Sequence, residues 1–152
     1  MSQQRLDFRT ASPKAYAAVG GVEAYMRHSE LEKPLMELVR MRASQINGCA
    51  FCLDMHSKDA RAGGETEQRL YLLNAWRESP LYSERERAAL AWTDCLTRVA
   101  TDGAPDDVYA AVEAQFSPKD ITDLTILIGL INLWNRVAIG ARAQHPVAAK
   151  AA

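Results

Sequence analysis

The stretch from Ile121 to Leu133, ITDLTILIGLINL, constrains the fold more than any other part of the chain. Read as a helix, it is apolar all around the cylinder, so it must be buried on most sides. Ser117-Pro118 supplies a cap and a proline at the first helical position, and the helix is carried to about Ala143, where His145-Pro146 ends it. Such a helix either runs through the domain centre or gives part of its surface to another subunit. The apolar stretch Ile126 to Leu133 is far short of a membrane span.

The rest of the chain carries helix punctuation and no strand alternation. Ser12-Pro13 opens a helix toward Met26, weakened in its middle by Gly20-Gly21. Pro34 opens a second through Ile46, stopped by Asn47-Gly48. The third runs from about Cys49 to Gly63-Gly64, and the fourth from about Thr66 to Arg77, closed off by Pro80. Ser83 and Glu86 fit a capping box for a fifth, extending to about Thr101. Pro105-Asp106 starts a short sixth. The expected fold is all-α: a single-domain helical bundle of about six to seven helices over residues 1–152, with a loose Ala-rich tail over about 146–152.

Composition bounds the function. The 152 residues are 48% hydrophobic and 24% charged, enough for a core without staples. A formal net charge of -1 provides no basic surface for nucleic acid. The N-terminus, MSQQRLDFRT, has no apolar signal region, so a soluble cytoplasmic protein without a membrane partner is expected. Three cysteines, an odd number, argue against a structural disulfide framework in that setting.

Two of those cysteines form Cys49-Ala50-Phe51-Cys52, with His56 one turn further on. The i, i+3, i+7 spacing places all three on one helix face. Both thiols lie in the first turn, where free N–H groups and the positive dipole end stabilise a thiolate. That position lowers a cysteine pKa from about 8.5 toward neutrality. The sulfurs also come near disulfide range, as a reversible dithiol–disulfide centre requires.

Cys49 is nearer the helix end, but the dipole is worth only about 0.3–1 kcal/mol. His56 leans back over Cys52, and a placed base contributes about 10²–10⁴ in rate. Cys52 is therefore the attacking thiol and Cys49 the resolving one. Glu37 is selected by the helical hairpin of residues 34–63 that the Asn47-Gly48 turn invites. At 1.5 Å per residue, Glu37 and His56 differ in level by only about 3 Å. Their side chains tilt oppositely, so a bridging water stands as the alternative to direct contact.

A metal site is the competing reading, since two cysteines and His56 offer three ligands and Glu37, His28 or His145 a fourth. A c-type haem is excluded because Leu53 follows Cys52. Cys95 reads as core, and His28 and His145 as surface or capping groups. Trp76, Trp92 and Trp134 read as core or interface anchors. Asn132, Asn135 and Arg136 need partners from a subunit contact or a pocket wall. Phe51, Met55 and Met41 are candidates for an apolar approach to Cys52, with core packing as the alternative.

At Glu37, eleven residues, Cys-x-x-Cys, three residues and His56, the sequence resembles the alkyl hydroperoxidase D-like branch of the carboxymuconolactone decarboxylase superfamily. The likeness is tightest over about Pro34 to Gly63, and the helix Ile131–Ile139 also looks like the family's closing segment. The resemblance implies helical subunits in trimers or hexamers and a thiol peroxidase cycle without a cofactor. In that cycle Cys52 becomes a sulfenic acid, Cys49 condenses with it to a disulfide, and His56 and Glu37 relay protons. It further implies a hydroperoxide substrate and a dithiol electron donor, a lipoyl-bearing or thioredoxin-like protein. Better-studied members carry a second histidine just before the attacking cysteine; that position is Phe51 here. The alternatives are a decarboxylase-type lyase using His56 and Glu37, and a non-enzymatic zinc-binding or redox-sensing oligomer.

Overall fold

A computed structural model describes residues 3–147, whose regular structure is all helical, with no strand among them. The helices are α1 (Phe8–Ala11), α2 (Pro13–Arg27), α3 (Lys33–Asn47), α4 (Ala50–Ala62), α5 (Glu67–Leu72), α6 (Glu84–Thr97), α7 (Val99–Asp102), α8 (Asp106–Glu113) and α9 (Pro118–Ala141). A 3-10 turn, Leu73–Ala75, follows α5. The all-α expectation is met. The count exceeds it through two single-turn helices, α1 and α7, which are too short to show periodicity in a sequence.

Local chemistry places most of the ends. Ser83 accepts from the Glu86 N–H at 3.3 Å and its own N–H donates to Glu86 at 2.8 Å, the reciprocal box expected at the start of α6. Ser117 accepts from the Asp120 N–H at the start of α9. Ser12 makes no side-chain capping bond; α2 starts on Pro13 and Asp7 instead caps α1. Gly20-Gly21 does not break α2, because both flanking segments pack, Val19 and Met26 reaching the main core. The fourth helix stops at Leu72 and tightens into the 3-10 turn, short of Arg77. The fifth ends at Thr97, where Arg98 leaves helical geometry, and α7 begins as a separate turn. Arg142 closes α9 in the left-handed conformation, two residues before the expected end. The tail beyond residue 147 lies outside the described residues.

The most enclosed element is α3, which packs against α4, α6 and α9 and is buried on nearly every side from Leu35 to Ser44. One cluster joins α2, α3, α6, α8 and α9 around Val39, Trp92, Val112 and Leu124. A second, on the opposite side of α3, joins α4 to α6 around Leu38, Leu73 and Leu90. Burial of these side chains is worth roughly 1.5–3 kcal/mol each. Between α3 and α6, Arg42 Nε donates to Asp94 at 2.6 Å with both side chains buried. Trp92 hydrogen-bonds Thr125 and Cys95 is a buried free thiol, as core readings of both require. Trp76 is also buried, its face covered by the Arg77 guanidinium at 4.3 Å.

By length and composition alone α9, with 24 residues, is long and apolar enough to cross a membrane, contrary to the shorter apolar stretch read from the sequence. Its inner face is nevertheless part of the core, where Asn132 and Asn135 hydrogen-bond Asn47 of α3 at 2.9 and 2.8 Å. Asn135 donates in turn to Ser44, and Asn132 to Thr97. These asparagines find partners within the chain. Ile126, Leu133 and Ile139 stay exposed on the outer face.

Candidate functional site

Two helix ends build the dithiol. Gly48 takes the left-handed conformation (φ 70°) that closes α3, and its N–H bonds back to Gln45 and Ser44. Glycine alone adopts this turn without cost. Cys49 follows as the N-cap of α4, and its sulfur accepts the Cys52 N–H at 3.4 Å. The two cysteines are disulfide-bonded, with Cα atoms 5.4 Å apart. Behind them, Asn47 is held by Asn132 and Asn135, and Ala138 of α9 packs on both sulfur-bearing residues. The dithiol is thus pinned from both α3 and α9.

The dithiol opens to one side. A cleft of about 990 Å³ is lined by Cys52, His56 and Glu37, while Cys49 is not in its wall. Phe51, Met55 and Trp134 form apolar parts of that wall. Met41 does not: it is buried in the second cluster, on the other side of α4, because its position on α3 faces Leu38 and Leu90. Trp134 meets Phe8 at a tilt and Tyr16 edge-on, with centroids 6.2 and 5.6 Å away.

His56 Nδ1 lies 2.9 Å from Glu37 Oε2. The hairpin therefore closes this pair directly, and no water is needed between them. The second Glu37 oxygen accepts from Arg40 at 2.6 Å. Arg40 reaches Glu23 of α2 at 3.2 Å, and Glu23 accepts the Trp134 indole N–H at 2.9 Å. Burial alone would raise the Glu37 pKa. The His56 hydrogen bond and the His56 and Arg40 charges outweigh it and hold the carboxyl below its ordinary value. With Nδ1 facing an ionised carboxylate, the ring proton belongs on Nδ1 and Nε2 is left as the basic nitrogen.

Arg40 and Glu23 were not singled out from the sequence. Arg40 is legible in hindsight as the i+3 partner of Glu37, whereas Glu23 comes from a separate helix and carries no local sign.

Among the described residues one trio of potential metal ligands converges: Glu37, His56 and Asp59, with ligand atoms within 4.8 Å of one another. Neither cysteine belongs to it, and both Glu37 oxygens are already engaged by His56 and Arg40. His28 is exposed at the cleft, and His145 is exposed and bonded to the Pro146 carbonyl, each away from the sulfurs' ligand shell.

Residues 11–94 match the model of the carboxymuconolactone decarboxylase family. The uncharacterized protein YdfG of Bacillus subtilis is 40% identical over 136 residues, which span 90% of this chain and 92% of that protein. A protein of unknown function from Agrobacterium tumefaciens superposes with a TM-score of 0.94 at 49% identity, covering 96% of this chain and 100% of that one. An uncharacterized peroxidase-related protein from Silicibacter superposes at 0.73 with 26% identity, covering 83% of this chain and 67% of that one. With the Cys49–Cys52 pair and the Glu37–His56 contact in one helical hairpin, the chain belongs to the carboxymuconolactone decarboxylase family, in its alkyl hydroperoxidase D-like branch.

Proposed function

We propose that the protein is a thiol-dependent hydroperoxide reductase. One observation carries this: Cys52 opens onto an apolar cleft shared with the hydrogen-bonded His56–Glu37 pair, while its disulfide partner Cys49 lies behind it. Peroxide chemistry needs this asymmetry, one thiol meeting the substrate and a second in reach to resolve the product. A decarboxylase-type lyase would use His56 and Glu37 but has no need of the dithiol.

In the cycle, His56 takes the Cys52 thiol proton and the thiolate attacks the terminal peroxide oxygen. The O–O bond breaks, the leaving alkoxide takes the proton as an alcohol, and Cys52 becomes a sulfenic acid. The Cys49 thiol then displaces water, forming the disulfide. A dithiol donor, lipoyl-bearing or thioredoxin-like, returns both sulfurs to the reduced state. The Agrobacterium relative carries AhpD-type antioxidant defence as its suggested role, and the Silicibacter structure is called peroxidase-related, in keeping with this reading. The exposed Ile126, Leu133 and Ile139 support assembly as a homotrimer or homohexamer, which sedimentation of the purified chain measures. A cytoplasmic setting, which keeps the donor reduced, belongs to the same reading.

Mass spectrometry after one equivalent of peroxide tests the assignment. The wild type should yield the Cys49–Cys52 disulfide, and Cys49→Ser a sulfenic acid on Cys52. A sulfenic acid on Cys49 in Cys52→Ser, with none on Cys52 in the converse variant, reverses the roles; no oxidation of either removes the peroxidase reading.

A further inference from the structure

The charged groups lining the cleft differ in exposure: Arg40, Glu23 and Glu37 are buried or half-buried, whereas Arg9, Arg27 and Lys33 are exposed. Close to the dithiol, Glu23 and Glu37 share the single cation Arg40, so this group keeps a surplus negative charge while His56 is neutral. Asp59, 4.0 Å from His56 but more than half exposed, adds one negative charge on the solvent side. The wall also contains Arg9, Arg27 and Lys33, all exposed and none with a carboxylate partner among the described residues. Arg9 lies over the Tyr16 ring at 5.4 Å, and Lys33 and Arg27 bracket the link between α2 and α3. Cys52 and its acid–base pair are therefore reached past a rim of three uncommitted cations and an apolar wall of Phe51, Met55 and Trp134.

The spacing suits one kind of molecule. Lys33 precedes Glu37 by one helical turn, Glu37 touches His56, and Cys52 lies one turn beyond His56 along the antiparallel hairpin. At 1.5 Å per residue the Lys33 and Cys52 levels are about 12 Å apart. A small neutral peroxide would span only the inner part of that distance. An anionic headgroup placed inward would meet the Glu23 and Glu37 carboxylates, and placed outward would meet unpaired cations, so the field also sets orientation.

We infer that the cleft takes organic hydroperoxides bearing a carboxylate, such as fatty-acid hydroperoxides, with the carboxylate at Arg27 and Lys33 and the peroxide at Cys52. This rests on the peroxidase reading and specifies its substrate. The chemistry is unchanged: the O–O bond is cleaved by the Cys52 thiolate, the hydroxy acid leaves, and a dithiol restores the enzyme.

Two measurements test it on the intact protein. Turnover with dithiothreitol is compared for linoleic acid hydroperoxide and its methyl ester, both below their micelle threshold. The acid should be preferred in kcat/KM on the order of tenfold, as expected for a few exposed ion pairs, and the preference should shrink as salt is raised. In the Arg27→Gln, Lys33→Gln double variant the acid-to-ester ratio should fall toward one, a ratio that a general loss of folded enzyme leaves untouched. Binding of the product hydroxy acid and of its methyl ester to the disulfide form, by calorimetry, needs no turnover. Tighter binding of the acid without any peroxide reduction would remove the peroxidase reading and keep the anionic ligand. Reduction of acid and ester with equal efficiency, or a preference that survives the double variant, would overturn the inference and leave the peroxidase reading standing.

Discussion

At the scale of single residues, the site depends on which atom of His56 faces which neighbour. Glu37 accepts at Nδ1, so the imidazole presents Nε2 as its base, and the lowered Glu37 pKa means the carboxylate is ionised wherever the dithiol works. Glu37→Gln keeps an acceptor but removes the charge, so the Cys52 thiol pKa should rise and peroxide turnover fall on the order of tenfold. The pH dependence of alkylation of the reduced protein measures the first effect; unchanged thiol pKa and unchanged turnover would end the relay assignment. Cys95 behaves oppositely. Burial first, then the Asp102 and Asp94 charges, push its thiol up, so in the oxidised native protein it should resist thiol reagents until denaturant is added. Rapid labelling of one native thiol would contradict its placement.

At the scale of elements, the α3–α4 turn is the most sensitive piece of backbone. A Cβ at Gly48 would meet nothing within 4 Å, so the cost of Gly48→Ala is purely conformational, about 1 kcal/mol for a φ of 70°. Denaturant unfolding reads that loss, and slower closing of the Cys49–Cys52 disulfide should accompany it. Asn135→Ala removes the partner of both Asn47 and Ser44 in a fully buried site, and should cost about 1–3 kcal/mol. A smaller loss would show that water replaces the amide.

The hairpin was legible because capping residues, Asn47-Gly48 and the i, i+3, i+7 spacing all act within a few residues of one another. The Ser12 cap and the end of the fourth helix were misread. There Pro13 alone starts the helix, and the chain after Leu72 tightens to bury Leu73 and Trp76.

At the scale of the whole molecule, acid should unfold the protein through two carboxylates, Asp94, which is buried, and Glu37, which is half-buried. Burial opposes ionisation of Asp94, but its bonds to Arg42 and Arg77 outweigh this and lower its pKa, as His56 and Arg40 do for Glu37. A folded-state pKa below the unfolded one gives stabilisation that is complete above the ordinary carboxylate value of about 4. It is lost as the pH falls through the lowered folded values. Asp94→Asn should flatten that acid-side slope. It should also cost about 3–5 kcal/mol near neutrality, because Arg42 is left charged and buried. An unfolding free energy for Asp94→Asn that keeps the wild-type pH slope would show that the slope comes from other groups. Most of the stabilisation belongs to Arg42, since Arg77 is more than half exposed.

The all-α class, the helix starts at Pro13, Ser83 and Ser117, and the grouping of Cys49, Cys52 and His56 on one face were determined by the sequence itself, since each depends on contacts within one or two turns. The short range of those contacts also set the reach of that reading. It brought Glu37 to the level of His56 without deciding between water and direct contact, and it offered Met41 and Met55 equally as cleft residues. Tertiary packing decided these: α3 turned Met41 into the second cluster and closed Glu37 on His56. It also drew Arg40, Glu23 and Trp134 into one chain of bonds across three helices, and gave Asn132 and Asn135 their partners on α3. The Ile121–Leu133 stretch shows the same limit. Its apolar pattern required burial, but only the placement of α3 and α6 determined which face of α9 is covered and which stays exposed.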